Sequence, residues 1–377
     1  MFLFLLLALA SAQTYTYSTL VSFPNSSKKS AAFPSAPTMD SSGNIYGVSQ
    51  EGGAYNEGTV FKVTPEGVLS VIYSFGAAKN DGQSPVGTVI RDPAGNLYGL
   101  TSQGGASGSG IVFRVTPSGK ETILHSFSGS SVTCPCPEPS LTRDSKGNLY
   151  GYDLYTNFGH GSIFKLAPTG TYSTLHDFCL LTNCTDGDQP SGRPILAANG
   201  KLYGVTYAGG DVSCPFESGC GTVFEVDTGG NETVLHNFTS NGDGAQPATK
   251  LTQDVSGNFY GTTYYGGLGY STVFKVSSSG QESVLYSFCM QANCADGEYP
   301  NGALIRDNAG NLYGIASEGG NPIYKITAEG MESVILYPPG FAGFGYGLVM
   351  DAAGNLYGTT FQGGAAHTGS IYKLTKE

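Results

Sequence analysis

The chain has 377 residues, enough for two or three ordinary domains, and carries a formal net charge of −11 with only 12% charged residues. An acidic chain without a basic cluster (Lys28-Lys29 is an isolated pair) is a poor partner for nucleic acid or an anionic membrane surface. With 40% hydrophobic residues, 56 Gly and 24 Tyr, it reads as a turn-rich folded β chain and not as a disordered one.

In chain order, residues 1–12 come first. The apolar run Met1-Phe2-Leu3-Phe4-Leu5-Leu6-Leu7 ending in Ala10-Ser11-Ala12 has the form of a secretory signal, short and without a basic start. It predicts a mature chain of one domain, 13–377, on the extracellular or periplasmic side. No other stretch approaches 18 consecutive apolar residues, so no membrane span is expected.

After that run one pattern recurs. Gly95-Asn96-Leu97-Tyr98-Gly99 returns, with small changes, at 43–47, 147–151, 200–204, 257–261, 310–314 and 354–358. A repeat of roughly fifty residues made of short strands is the mark of a propeller or a related array. Within one copy, Ala303-Leu304-Ile305-Arg306 predicts a first strand, and Asp307-Asn308-Ala309-Gly310-Asn311 a tight turn. Leu312-Tyr313-Gly314-Ile315-Ala316 predicts the second strand, and its glycine is expected where neighbouring backbones approach. A Gly-Gly loop leads to a third strand such as Thr59-Val60-Phe61-Lys62-Val63. A Pro/Gly turn then leads to a fourth, such as Thr122-Ile123-Leu124-His125-Ser126-Phe127.

The last copy stops after its third strand at Leu374, whereas Thr16-Tyr17-Ser18-Thr19-Leu20-Val21-Ser22-Phe23 matches fourth strands elsewhere. The expected fold is therefore all-β, a seven-bladed propeller of four-stranded antiparallel blades. Its amino-terminal strand completes the last blade and leaves no open edge.

Such a ring sorts its loops onto two faces. The Asp-x-x-Gly-Asn and Pro/Gly turns, short and uniform, lie on one. The second-to-third-strand loops and the blade-to-blade connections, of variable length, lie on the other, where binding is expected. All eight cysteines fall on that face. Cys179/Cys184 and Cys289/Cys294 occupy one slot in two copies, which favours local bridges; Cys214 and Cys220 close another loop. Cys134-Pro135-Cys136 is the odd pair, and a zinc site is its competing reading.

The connections repeat Asp-Gly-x-x-Pro, with Asp81, Asp186, Asp243 and Asp296. A ring of carboxylates fits Ca²⁺ or a sugar hydroxyl, but Asp-Gly is also plain turn chemistry, and no metal is expected. Tyr207, Tyr264, Tyr265 and Tyr270 lie in or beside second-to-third-strand loops, where tyrosines stack on sugar rings, grip a peptide or pack on neighbouring loops. His125, His176 and His236 share one fourth-strand position with Tyr73 and Tyr286, which reads as structural, whereas His160 and His367 stand alone in loops as candidate acid/base groups.

There is no nucleophile elbow, zincin helix or phosphate loop, Trp is absent, and no cofactor is expected. The expected function is binding of an extracellular glycan or protein by a monomer through the loop-rich face. A polysaccharide lyase or hydrolase and a structural surface protein are the alternatives.

Asn258-Phe259-Tyr260-Gly261-Thr262-Thr263, Gly266-Gly267 and Thr272-Val273-Phe274-Lys275-Val276, echoed by Tyr357-Gly358-Thr359-Thr360 and Gly363-Gly364, resemble the GloVer tandem repeat of exported "choice-of-anchor" proteins. The resemblance covers nearly all of the mature chain. It implies a secreted or surface propeller of no assigned activity and transfers no catalytic residues. No sorting segment follows Glu377, so free secretion is the expectation.

Overall fold

Residues 14–24, 31–128, 140–154, 156, 159–211, 213–337, 345, 347–361 and 363–377 are described by a computed structural model. The short apolar runs form strands, because β-branched and aromatic residues alternate over four to ten positions and Gly or Asp-Gly then breaks them. In blade two, Gly82–Arg91, Leu97–Gly104, Ile111–Val115 and Glu121–Ser126 pair in chain order as an antiparallel meander. Seven such sheets stand in a ring.

The seventh is built from both chain ends. Leu348–Met350, Leu356–Thr360 and Ser370–Lys376 are joined by Tyr15–Ser22, with Ser18 opposite Lys373 and Ser22 opposite Ser370. The carboxylate of Glu377 accepts from the hydroxyls of Thr14 and Thr16, which fastens the outermost end of this pairing.

Two repeated devices hold blade to blade. At the outer side, at six of the seven boundaries, the phenylalanine just after the fourth strand meets the third-strand ring of the next blade edge-on. Phe75–Phe113, Phe178–Phe224 and Phe238–Phe274 have centroids 5.1, 4.9 and 5.0 Å apart. Phe23 makes the same contact with Phe61 at 5.2 Å, so blade seven grips blade one in the same way, whereas Tyr337 after the fourth strand of blade six is exposed. Each fully buried ring contributes about 2–3 kcal/mol over an exposed one. At the inner side, first strands are stitched by hydroxyls. Ser35 Oγ donates to the carbonyl of Gly87 at 2.7 Å, and Ser191 Oγ to that of Ala248 at 2.8 Å.

The repeated Tyr-Gly is explained by the register. Gly99 lies opposite Phe113, Gly151 opposite Phe164 and Gly261 opposite Phe274. A Cβ on Gly99 would stand 2.5 Å from Phe113 Cζ. The glycine therefore makes room for the neighbouring strand's ring, not for a close approach of backbones; the correction follows because the nearest atoms are side-chain carbons. Blades six and seven put Tyr324 and Tyr372 in the same place.

The Asp-x-x-Gly-Asn turn is equally specific. In blade five, Asp254 Oδ1 accepts from the amides of Ser256 and Asn258, and Oδ2 from Asn258 Nδ2 and the hydroxyl of Tyr260 at 2.9 Å. Aspartate, asparagine and tyrosine recur together because they form one hydrogen-bonded unit. Burial pushes these carboxyls up, yet the Asn donors and the Tyr hydroxyl outweigh it and hold Asp92, Asp254 and Asp351 below the usual carboxylate range. Blade four lacks the aspartate, and Asn199 Nδ2 donates directly to the Tyr203 hydroxyl at 2.8 Å.

Candidate functional site

The strand register fixes the loop faces. In blade four, Asp188 at the start of the first strand faces Ala208 at the end of the second, and Thr222, which opens the third, faces Asn237, which ends the fourth. Second-to-third loops and blade connections therefore share one face. Three disulfides lie there, Cys179–Cys184, Cys214–Cys220 and Cys289–Cys294. Cys134 and Cys136, and the expected signal segment 1–12, fall outside the described residues.

The tyrosines of that face come together. Tyr264 lies with its ring centroid 6.3 Å from Tyr207 in blade four and 6.2 Å from Tyr299 in blade six. Tyr265 meets Tyr299 at 5.9 Å and Phe216, inside the Cys214–Cys220 loop, at 5.4 Å. Five aromatic rings from three blades thus form one platform. Tyr265 is 36% exposed, enough for a face to meet a ligand, and Tyr270 at 52% stands in the following loop. Burial first, then the charges of neighbouring tyrosines, raises Tyr207 above the ordinary phenol value, so its hydroxyl is a neutral donor at any physiological pH.

Tyr299 and Phe216 were not singled out from the sequence. Tyr299 hides in the Asp-Gly-x-x-Pro connection, at the residue before the proline. That residue has positive φ in each copy described: Ser84 48°, Gln189 55°, Gln246 55° and Tyr299 47°. The amides of Ser84, Gln189 and Gln246 are tied to a carbonyl of the preceding blade, which holds the left-handed turn. An otherwise fixed motif therefore carries Ser, Gln, Gln or Tyr at one strained site on the loop face. Non-glycine residues held in this region concentrate at functional sites.

Beside the platform lies a cleft of about 440 Å³ lined by Asp188, Asp211, Phe216 and Glu217. His160, 37% exposed, reaches its edge, with Nδ1 3.0 Å from Asp188 Oδ1. His367, exposed with φ 56°, ends no such pair.

The connection aspartates turn inward. Asp186 accepts from the amides of Leu180 and Leu181, and Asp296 from those of Met290 and Gln291; they are 3% and 0% exposed. Asp81 accepts from the amides of Gly76, Ala77 and Gly82. Asp243 takes the Thr239 amide and hydroxyl. Each carboxylate organises its own connection.

A family model described as "Gloeobacter/Verrucomicrobia repeat" matches residues 7–214 and 137–325. The chain belongs to the Gloeobacter/Verrucomicrobia repeat family. This agrees with the GloVer resemblance of the repeat residues. No curated protein matches. Among solved structures, this repeat protein is similar to the extracellular domain of a hybrid two-component system of B. thetaiotaomicron. There the TM-score is 0.58 at 11% identity, over 96% of this chain and 40% of that one. It is also similar to a puromycin-hydrolyzing peptidase of Mycobacterium tuberculosis, with a TM-score of 0.58 at 13% identity, over 97% of this chain and 56% of that one. The repeat protein spans about two fifths and just over half of those two chains, and at such identities the likeness is one of fold alone.

Proposed function

We propose that the protein is a secreted binding propeller whose loop-rich face engages an extracellular glycan, with Tyr207, Tyr264, Tyr265, Tyr299 and Phe216 as the contact platform. The observation that carries this reading is the convergence of five rings from three blades, one of them on a strained backbone, beside a cleft with three carboxylates. Aromatic faces stack on the C–H faces of pyranose rings. Asp188, Asp211 and Glu217 supply acceptors for sugar hydroxyls, and the disulfides hold the loops in place, so little ordering entropy opposes binding. The apolar signal-like start and the disulfides support an oxidising compartment outside the cytoplasm.

Hydrolysis or lysis of the same polysaccharide is the second reading. Glu298 and Glu318 face each other across the first ladder of blade six, next to Tyr299. Burial, then the charge of Glu318, lifts the Glu298 carboxyl above its ordinary value, as a general acid requires.

A glycan array and a soluble-polysaccharide panel test both. Binding to one glycan class, weakened at least tenfold in Tyr264→Ala and Tyr265→Ala and unchanged in Tyr55→Ala on blade one, supports the first reading. Release of reducing ends or unsaturated products, lost in Glu298→Gln, supports the second. No retention on any glycan, with wild-type folding, overturns both.

A further inference from the structure

His125 stacks on Tyr172 at 4.1 Å, but the fourth-strand histidines His176 and His236 have a role that packing does not explain. At four blade boundaries, the first, third, fourth and fifth, one residue of the fourth strand meets the connection aspartate and a glutamate from the next blade's fourth strand. At the first and fifth boundaries that residue is tyrosine. Tyr73 donates its hydroxyl to Asp81 at 2.8 Å beside Glu121, and Tyr286 to Asp296 at 2.7 Å beside Glu332. The hydroxyl satisfies the aspartate, while Glu121 Oε1 and Glu332 Oε1 keep no hydrogen-bond partner.

At the third boundary the residue is His176, whose ring is shorter. Its Nδ1 lies 3.1 Å from the carbonyl of Gly230. A carbonyl only accepts, so Nδ1 carries the proton and Nε2 presents a lone pair. Nε2 has no hydrogen-bond partner, nor has Glu232 Oε1. Both side chains are more than nine-tenths buried, at 9% and 8% exposure, and Nε2 stands 3.7 Å from Glu232 Oε2. Asp186 completes the group, with one donor atom from each of the three residues within 4.8 Å of the others.

We infer that His176, Asp186 and Glu232 form a divalent transition-metal site, with Zn²⁺ as the cation that imidazole and carboxylate ligands suit best. Ligands at about 2.1 Å in tetrahedral array stand roughly 3.4 Å apart; His176 and Glu232, at 3.7 Å, are near that spacing, and the three ligand atoms, within 4.8 Å of one another, draw together around the ion. The Nδ1–H···O=C bond is the outer-shell contact that orients a metal-ligating histidine. A cation also answers a buried imbalance. Asp186 and Glu232 put two carboxyls against one neutral ring, and the tyrosine hydroxyl that donates to the aspartate elsewhere is missing. With three protein ligands, the fourth position would go to water. The fourth boundary repeats the constellation with His236, Asp243 and Glu282, where His236 and Asp243 are more open, at 19% and 16% exposure. Among the described residues, the other close groups of potential ligands, around Cys179–Cys184 and Cys289–Cys294, have their sulfurs in disulfides and offer no thiolate. This inference stands apart from the glycan platform.

The test is Zn²⁺ binding to EDTA-treated, untagged protein by equilibrium dialysis and by thermal unfolding. Wild type should bind Zn²⁺ and unfold several degrees higher in 100 µM ZnCl₂. His176→Tyr recreates the first and fifth boundaries, so it should fold while losing at least thirtyfold in Zn²⁺ affinity together with the thermal shift. Should the variant not fold, the isosteric Glu232→Gln carries the same expectation. Wild type that takes up no Zn²⁺ at 100 µM, or affinity within threefold of wild type in a folded His176→Tyr or Glu232→Gln, overturns the inference.

Discussion

Replacing Gly99 by alanine tests the packing logic of every blade. The new Cβ would lie 2.5 Å from Phe113 Cζ and 3.2 Å from Val89 Cγ1. Carbon atoms prefer about 3.5–4.0 Å, so the ring must retreat by roughly 1 Å. It has nowhere to go: Phe113 is fully buried and Phe75 of blade one stands 5.1 Å from it, centroid to centroid. Overpacking of this kind costs about 1–3 kcal/mol. With an unfolding entropy near 2.1 cal/mol/K per residue, a chain of this size has ΔS of about 0.8 kcal/mol/K, and 3 kcal/mol lowers Tm by about 4 °C. Thermal and urea unfolding should be read on Gly99→Ala, Phe113→Leu and the double variant. Leucine removes the ring atoms that clash, so the double variant should be at least 1 kcal/mol more stable than the two single losses predict. Strict additivity, or a harmless Gly99→Ala, would refute the account of why Tyr is followed by Gly in all seven repeats.

Four further outcomes are expected. Asp254→Ala, which strips the Asn258 and Tyr260 donors of their acceptor, should cost about 1–3 kcal/mol by urea unfolding. Because the turn carboxyls titrate below their unfolded value, their contribution is present above about pH 4 and is lost as pH falls through the folded value; Asp254→Asn should flatten that acid limb. Glu121 has the opposite sign: burial, then the charge of Asp81, pushes it up to about 7, so stability present below its unfolded pKa is lost as pH rises through about 7. Glu121→Gln should remove that slope and stabilise the protein at pH 8 by at most about 3 kcal/mol, read from unfolding at pH 5 and pH 8. Removing residues 14–23 should expose the Ser370–Lys376 edge, lower Tm by more than 10 °C and promote aggregation in light scattering.

Much of the architecture was legible because the repeat is written in residues whose job is local. In every blade but the fourth, the Asp, Gly, Asn and Tyr of the turn satisfy one another within seven positions, and the spare fourth strand at residues 16–23 matches its siblings in residue type. The tyrosine cluster was half legible. Tyr207, Tyr264 and Tyr265 share a loop face by register, but Tyr299 joins them only because a left-handed connection residue brings it across a blade boundary. The metal-type cluster was hidden for the opposite reason. His176 looked like a packing residue because it alternates with tyrosine, and only the three-dimensional neighbours show that the shorter ring leaves Nε2 bare. The reading of Gly in Tyr-Gly as a backbone contact failed because cross-strand register, which places a ring opposite it, is not a property of one segment.

The pairing of Tyr15–Ser22 with Ser370–Lys376 also imposes an order in time. Tyr15–Ser22 leaves the ribosome long before Ser370–Lys376 and must wait, unpaired, for it, and until then the nascent protein carries one orphan strand and six sheets with no seventh to lean on. A chaperone that shields Tyr15, Tyr17 and Leu20 during that interval would act on the one segment whose partner has yet to be made.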